Sequence, residues 1–199
     1  GRMLAQAVTG TPGHVNSMAR SVIHFIREFP VETMKPGDAY VTNDPWKGTG
    51  HLYDIVVTSP AFHKGKLVAL FSCTTHVVDI GGLGQSPDGR QVYHEGLFLP
   101  LLPLMREGTI DESVMRIVRA NVREPVQFEA ALKQAVKQFA SIVAIGRFTD
   151  RLSAGEFDTP LIDSANQLLE QMAIRELLIQ ERERAIGGLA QFPRQLPCA

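Results

Sequence analysis

The chain has 199 residues, 44% of them hydrophobic, and its 20 basic and 21 acidic residues give a formal net charge of -1. This composition is typical of a globular protein with a packed core and excludes a disordered chain. Without a strong positive field, we expect no nucleic acid and no membrane as a partner. Its two cysteines form no spaced framework of the kind found in small secreted domains, which favours a cytoplasmic location.

The first half of the chain predicts one helix followed by a β-hairpin. Apolar residues recur at helical spacing over residues 14–29, before a proline. Short β-prone runs then predict strands at residues 39–42, 55–62 and 67–75. The turn at residues 63–66 joins the last two of these strands as an antiparallel hairpin.

Two copies of a His-x-x-Asp pattern, His51 to Asp54 and His76 to Asp79, lie 25 positions apart beside glycine-rich segments. Imidazole nitrogens and carboxylate oxygens are metal ligands, so the repeated pattern indicates a metal site. Residues three apart point to opposite faces of a strand, so each pair requires a bend. The alternative is that these are ordinary loop histidines and that the carboxylates cap turns.

The predicted hairpin brings His51, Asp54 and His76 to the same end of two antiparallel strands, which favours one site rather than two. His14 opens the first helix and either neighbours its cap or reaches into the pocket. Cys73 lies three residues before His76 and could supply a thiolate, but an apolar strand position favours a small buried hydrophobe.

The second half of the chain changes character after Gly108. Residues 96–104 are apolar but too short, and too interrupted by proline, to cross a bilayer. Thr109 and Glu112 match a capping box for a helix that ends near Ala120. Pro125 starts a second helix, and a third is predicted from residue 159 to 187.

The predicted fold class is therefore α+β. An N-terminal helix and an antiparallel β-hairpin or sheet core form an α/β metal-site region at residues 1–108, and a C-terminal antiparallel helical hairpin occupies residues 109–199. The apolar stripes of the helices exceed what one hairpin can bury, so we expect them to cover the sheet or a second subunit in an oligomer.

Five segments together resemble the hydantoinase B/oxoprolinase family, in the same order and at similar intervals. They are GDAYVTNDP at residues 37–45, GHLYD at 50–54, HVVDIGG at 76–82, EGL at 95–97 and ANVR at 120–123. That family includes the B subunit of N-methylhydantoinase, the matching half of 5-oxoprolinase, and a large subunit of acetone and acetophenone carboxylases.

The resemblance implies a divalent metal, Zn or Mn, held by His51, Asp54 and His76. It also implies a hydantoinase A-type partner that uses ATP with Mg, because the chain has no Walker-type glycine loop of its own. Asp79 is the predicted catalytic residue, either orienting the imidazole of His76 or acting as a general base.

Three functions follow as hypotheses. The first is the metal-bearing core of an ATP-dependent amidohydrolase subunit that opens a cyclic amide such as hydantoin or 5-oxoproline. The second is an acetone or acetophenone carboxylase-type subunit, and the third is a non-catalytic truncated homologue that serves as a binding or assembly module. The resemblance begins inside the family's domain, and family members continue beyond the position of Ala199, so we expect the isolated chain to be inactive.

Overall fold

A computed structural model describes residues 1–6, 11–84 and 86–143. The helices are α1 (Pro12–Glu28), α2 (Glu112–Asn121) and α3 (Pro125–Val143), and the strands are β1 (Ala39–Thr42), β2 (Asp54–His63), β3 (Lys66–His76), β4 (Leu102–Arg106) and β5 (Thr109–Ile110). The strands form one antiparallel sheet in the order β3-β2-β1-β4-β5. The α+β class is thereby confirmed, whereas the helix predicted at residues 159–187 lies outside the described residues.

The sheet carries helices on both faces because alternate strand residues point to opposite sides. One face packs with α1 through a cluster of five buried residues: Phe25, Met34, Tyr40, Val56 and Leu101. The other face packs with α2 and α3 through a larger cluster that includes Ile55, Val57, Val118, Phe128 and Leu132. In the ranges that the structure covers, no helix has the length and apolarity that a membrane crossing requires.

The hairpin of β2 and β3 contains one irregularity that matters for the site. Lys64 and Gly65 turn with positive φ angles of 48° and 76°, and His63 pairs with Lys66 across the turn. The pairing then shifts between Ala61 and Phe62, so that Val68 of β3 has no Cα partner. This is a β-bulge. Beyond it the strands run in regular register as far as the pair Asp54 and His76.

The sequence interpretation of residues 102–112 needs correction. The sequence pattern does not predict strands β4 and β5, because the proline and leucine run that contains β4 lacks the alternation of a half-buried strand. The proposed capping box is wrong: Thr109 pairs with Arg106 in the sheet, and Asp111 is the N-cap of α2 instead. Its side chain accepts hydrogen bonds from the amides of Ser113 and Val114.

The division at residue 108 stays a prediction. In the structure α2 and α3 share a core with β2, so the sheet and these helices are packed together.

Candidate metal centre

The carboxylate of Asp54 is the centre of the candidate site. This side chain is only 3% exposed, and it is the first residue of β2. Nδ1 of His76 lies 3.0 Å from its Oδ1, and Nε2 of His51 lies 3.1 Å from its Oδ2. Nε2 of His14 also lies 3.1 Å from Oδ2, which in addition accepts a hydrogen bond of 3.1 Å from the hydroxyl of Thr49.

Different elements deliver these groups to one point. Asp54 begins β2 and His76 ends β3, and the two are directly paired, so their side chains share a face of the sheet. His51 reaches the same point from the tight turn before β2, in which the amide of Asp54 donates to the carbonyl of His51. Helix α1, which covers this face, contributes His14. Of the two readings left open for His14, the structure supports reach into the pocket.

The donor set fits a divalent cation. One ligand atom each from His51, Asp54 and His76 can be chosen so that all three lie within 4.8 Å of one another. Two imidazoles and one carboxylate suit Zn²⁺ or Mn²⁺ and leave coordination positions for water or substrate. The two imidazoles are partly exposed while the carboxylate is buried, so the cluster opens to solvent on the histidine side. The structure thus brings together the three predicted ligands, and their metal binding stays a prediction.

A buried amide fixes the loop that carries His51. The side chain of Asn43 donates to the carbonyls of Leu52 and Leu97 at 2.8 Å each, and its Oδ1 accepts from the amide of Leu99 at 2.6 Å. Glu95 adds a second tie, since its Oε2 accepts from the amide of Leu52 at 2.9 Å. The sequence analysis gives these two residues no role in the site; their only signal is that both lie in segments that carry the family resemblance.

Tyr53 forms a wall behind the two histidines of the turn and the hairpin. Its ring stacks on that of His76 with centroids 5.9 Å apart, and it lies 6.4 Å from the ring of His51. Burial raises the pKa of the Tyr53 hydroxyl above its ordinary value, and the negative charge of Asp79 raises it further. The hydroxyl therefore stays protonated at neutral pH and can act as a hydrogen-bond donor.

Asp79 accepts hydrogen bonds from its own loop and from the segment before α3. Its Oδ1 accepts from the amide of Gly81 at 3.0 Å and from the guanidinium of Arg123 at 2.6 Å. Its Oδ2 accepts from the amides of Arg123 and of Glu124, which precede α3. These bonds join the loop after β3 to the start of α3. The catalytic role of Asp79 stays a prediction, and its contacts describe a structural one.

The contacts of Asp79 also set its acidity. Burial favours the neutral acid, but hydrogen bonds from the amides of Gly81, Arg123 and Glu124, together with the charge of Arg123, outweigh it and hold the pKa of Asp79 below its ordinary value. Because the folded-state pKa is depressed, the ionised carboxylate stabilises the fold above the ordinary value of 3.8. That contribution is lost as the pH falls through the lower folded-state pKa.

We therefore expect Asp79→Asn to lower stability near pH 7 and to make unfolding less sensitive to acid below about pH 4. Urea unfolding of both proteins between pH 7 and pH 2.5 measures this difference. Asp88→Asn, in an exposed turn, is the control and should leave the pH profile unchanged. Parallel profiles for the wild type and Asp79→Asn would contradict the expectation.

Two clefts flank the histidines. The larger, of ≈ 460 Å³, is lined by His51, by Glu95 and by residues of the loop between β3 and Glu95, including Ser86 and Arg90. The smaller, of ≈ 180 Å³, lies between His76 and the start of α3, where Gln127 and Phe128 contribute. Each cleft contains one candidate ligand, so a small molecule in either could reach the site.

Cys73 is placed away from this chemistry. It pairs with Val57 and packs against the cluster on the α2 and α3 face, opposite to Asp54 and His76. Burial raises the pKa of its thiol to about 12, so the thiolate is not formed at neutral pH. This packing agrees with the interpretation of Cys73 as a small hydrophobe.

Comparison with known proteins gives one family and several relatives. The sequence model described as "Hydantoinase B/oxoprolinase" matches residues 1–149. The caprolactamase subunit beta of Pseudomonas jessenii is 32% identical over 115 residues, which cover 56% of this chain and 20% of that protein. The 5-oxoprolinase of Dictyostelium discoideum is 31% identical over 112 residues, covering 53% of this chain and 8% of that protein.

Two solved structures resemble the fold. The ATP-dependent caprolactamase from Pseudomonas jessenii superposes with a TM-score of 0.59 at 27% identity, covering 81% of this chain and 27% of that one. An acetone carboxylase superposes with a TM-score of 0.51 at 16% identity, covering 85% of this chain and 19% of that one, which is a likeness of fold alone. In each comparison the chain spans about a quarter or less of the relative's length.

Proposed function

Because the chain belongs to the hydantoinase B/oxoprolinase family, we propose that it is the metal-bearing core of a subunit that opens cyclic amides in an ATP-dependent enzyme. The relatives named caprolactamase and 5-oxoprolinase support the reaction class, since both names describe enzymes acting on a cyclic amide. The substrate is accordingly a small lactam or cyclic imide.

One observation carries the proposal: two imidazoles and a buried carboxylate converge where β2 begins and β3 ends. His51, Asp54 and His76 would hold a divalent cation, Zn²⁺ or Mn²⁺. When bound at such a site, a cation of this type supplies Lewis acidity for an amide carbonyl or lowers the pKa of a water molecule.

The residues around the candidate ligands hold these ligands in place and do not themselves react. Asn43 and Glu95 hold the backbone of Leu52 and so fix the turn that carries His51. The rigid turn keeps the imidazole in reach of the carboxylate without large loss of entropy on binding. The clefts beside His51 and His76 are open enough to admit a five- to seven-membered ring, and Tyr53 offers an aromatic wall.

A role for Asp79 as a general base belongs to the same proposal, but hydrogen-bond donors already occupy both of its carboxylate oxygens. Its two oxygens already accept four hydrogen bonds, one of them from a guanidinium. A base held in this way is weak, because its pKa lies below the ordinary value. A water molecule, or a proton acceptor on the exposed side of the histidine cluster, would therefore be better suited to act as the general base.

ATP would be used by a partner. The chain contains no G-x-x-x-x-G-K-[ST] sequence, so phosphate binding is assigned to a hydantoinase A-type subunit. The relative named as a "subunit beta" supports a multi-subunit enzyme. Location in the cytoplasm, where ATP is available, completes the proposal.

The experiment has two stages. Metal analysis of the purified chain should give about one divalent ion per molecule. A version extended at both ends, combined with a hydantoinase A-type subunit and ATP, should then open the ring of hydantoin, 5-oxoproline or caprolactam. His76→Ala should remove both the ion and the turnover, whereas His63→Ala, at the hairpin turn, should retain both. Bicarbonate-dependent turnover of a ketone would identify a carboxylase instead. Absence of metal in the wild type would favour the non-catalytic module.

A further inference from the structure

His14 makes a contact that the three-ligand site does not require. Its Nε2 lies 3.1 Å from Oδ2 of Asp54, and the imidazole is 30% exposed. The same oxygen also faces His51 and Thr49. A carboxylate oxygen only accepts hydrogen bonds, so a hydrogen on Nε2 of His14 would be the donor across this distance.

Geometry separates His14 from the ligands. The group whose ligand atoms lie mutually within 4.8 Å consists of His51, Asp54 and His76, and His14 is outside it. His14 approaches the carboxylate from α1, whereas the other three residues belong to the hairpin and the turn before it. This geometry suits His14 to holding Asp54 rather than to binding a cation.

The contact also has a place in the packing of α1. The C-terminal half of the helix is anchored by Phe25, which is fully buried, and by Phe29, whose ring stacks on Tyr40 at 4.5 Å. The N-terminal end has weaker support, because Thr11 makes no side-chain capping bond. The contact between His14 and Asp54 ties this end of α1 directly to the sheet.

We propose that His14 is a positioning residue that orients the metal-binding carboxylate of Asp54 and thereby couples α1 to the metal site. The inference rests on the proposed metal site. Carboxylates that bind metals are themselves held by hydrogen bonds, and loss of such a partner lowers metal affinity about 10- to 100-fold. With a cation bound, the carboxylate would be held both by the ion and by His14 of α1.

The test is the affinity of the metal-free chain for Zn²⁺ and Mn²⁺, measured by competition with a chelator. His14→Ala should weaken binding about 10- to 100-fold. His14→Gln should restore most of the affinity, because its amide places an N–H donor near the position of Nε2. His24→Ala is the matched control, since His24 lies on the same helix about 15 Å further along, and it should bind as the wild type does.

A second measurement follows the coupling to α1. Amide hydrogen exchange in the first two turns of α1 should slow on addition of Zn²⁺ to the wild type and to His14→Gln, but not to His14→Ala. If His14→Ala folds poorly, the slowing of exchange by Zn²⁺ can still be compared between the wild type and His14→Gln. Circular dichroism confirms which variants are folded.

The outcomes are distinguishable. Wild-type affinity in His14→Ala, with unchanged exchange in α1, would overturn the proposal while leaving the metal site intact. A loss that His14→Gln does not restore would make His14 a metal ligand and would equally overturn a positioning role. If neither the wild type nor His24→Ala binds metal, the proposed metal site itself is wrong.

Discussion

Replacing Asp54 with Asn is expected to abolish metal binding by the chain. The carboxylate is the only anion among the three candidate ligands, and it faces three imidazole nitrogens at 3.0 to 3.1 Å. An amide removes the charge and turns an N–H toward those nitrogens. We expect the affinity for Zn²⁺ or Mn²⁺ to fall by more than about 100-fold, beyond the effect of losing an outer partner, as measured by isothermal titration.

Asp38→Asn is the control for burial alone. Asp38 is a carboxylate 1% exposed at the opposite end of the sheet, where it accepts from the hydroxyl of Tyr40 and the amide of Glu107. Its replacement should cost stability but leave the metal affinity of the folded protein unchanged. Metal binding by Asp54→Asn with near wild-type affinity would remove Asp54 from the ligand set.

Gly96→Ala should be among the most destabilising single changes in this chain. Gly96 has a φ of 134°, and an added Cβ would lie 2.3 Å from the carbonyl oxygen of Ile80. That oxygen is held in place, because it accepts from the amide of Leu97 at 2.7 Å. Strain in the backbone and the clash together should cost about 3 kcal/mol or more. Urea unfolding at neutral pH measures the loss.

Gly13→Ala is the matched comparison. Gly13 is the second residue of α1 and has no atom within 4 Å of an added Cβ, so the same substitution should be neutral or should stabilise the helix by at most about 0.5 to 1 kcal/mol. Gly96→Ala should also weaken metal binding, because Glu95 holds the amide of Leu52 next to His51. A Gly96→Ala protein as stable as the wild type would contradict the tight contact with Ile80.

The hairpin and first helix could be predicted from sequence because local signals agreed there. The helical spacing before Pro30 and the turn between two β-prone runs each describe the observed elements to within two residues. Strands β4 and β5 could not be found in this way. Pro103 removes a donor from β4, and that strand is stabilised by pairing with β1, some sixty residues earlier in the chain.

Part of the candidate site could also be predicted from sequence, because three of its residues lie within or next to the hairpin. The spacing of His51, Asp54 and His76 gave their convergence, because two of them terminate strands of one local hairpin. The contact of His14 and the tie through Asn43 depend on packing between distant segments, so the sequence raised the first only as an alternative and gave the second no weight. The sequence predicts a catalytic role for Asp79 because it lies close to His76 in the chain, whereas its hydrogen-bond partners include Arg123 and Glu124, just before α3.

The bulge at Val68 has a consequence for how this site can tolerate change in length. In a hairpin with a two-residue turn, directly opposed residues are an odd number of positions apart, and regular pairing from His63 and Lys66 would set Asp54 opposite Thr75. Asp54 and His76 are opposed at an even separation, which requires one unpaired residue. Deleting Val68 alone would make the pairing regular, because His76 would then stand one position earlier in the chain and would still lie opposite Asp54. The bulge therefore lets the hairpin lose one residue of β3 without losing the site, whereas the loss of two residues from β3 would move His76 out of register with Asp54 and turn it to the other face.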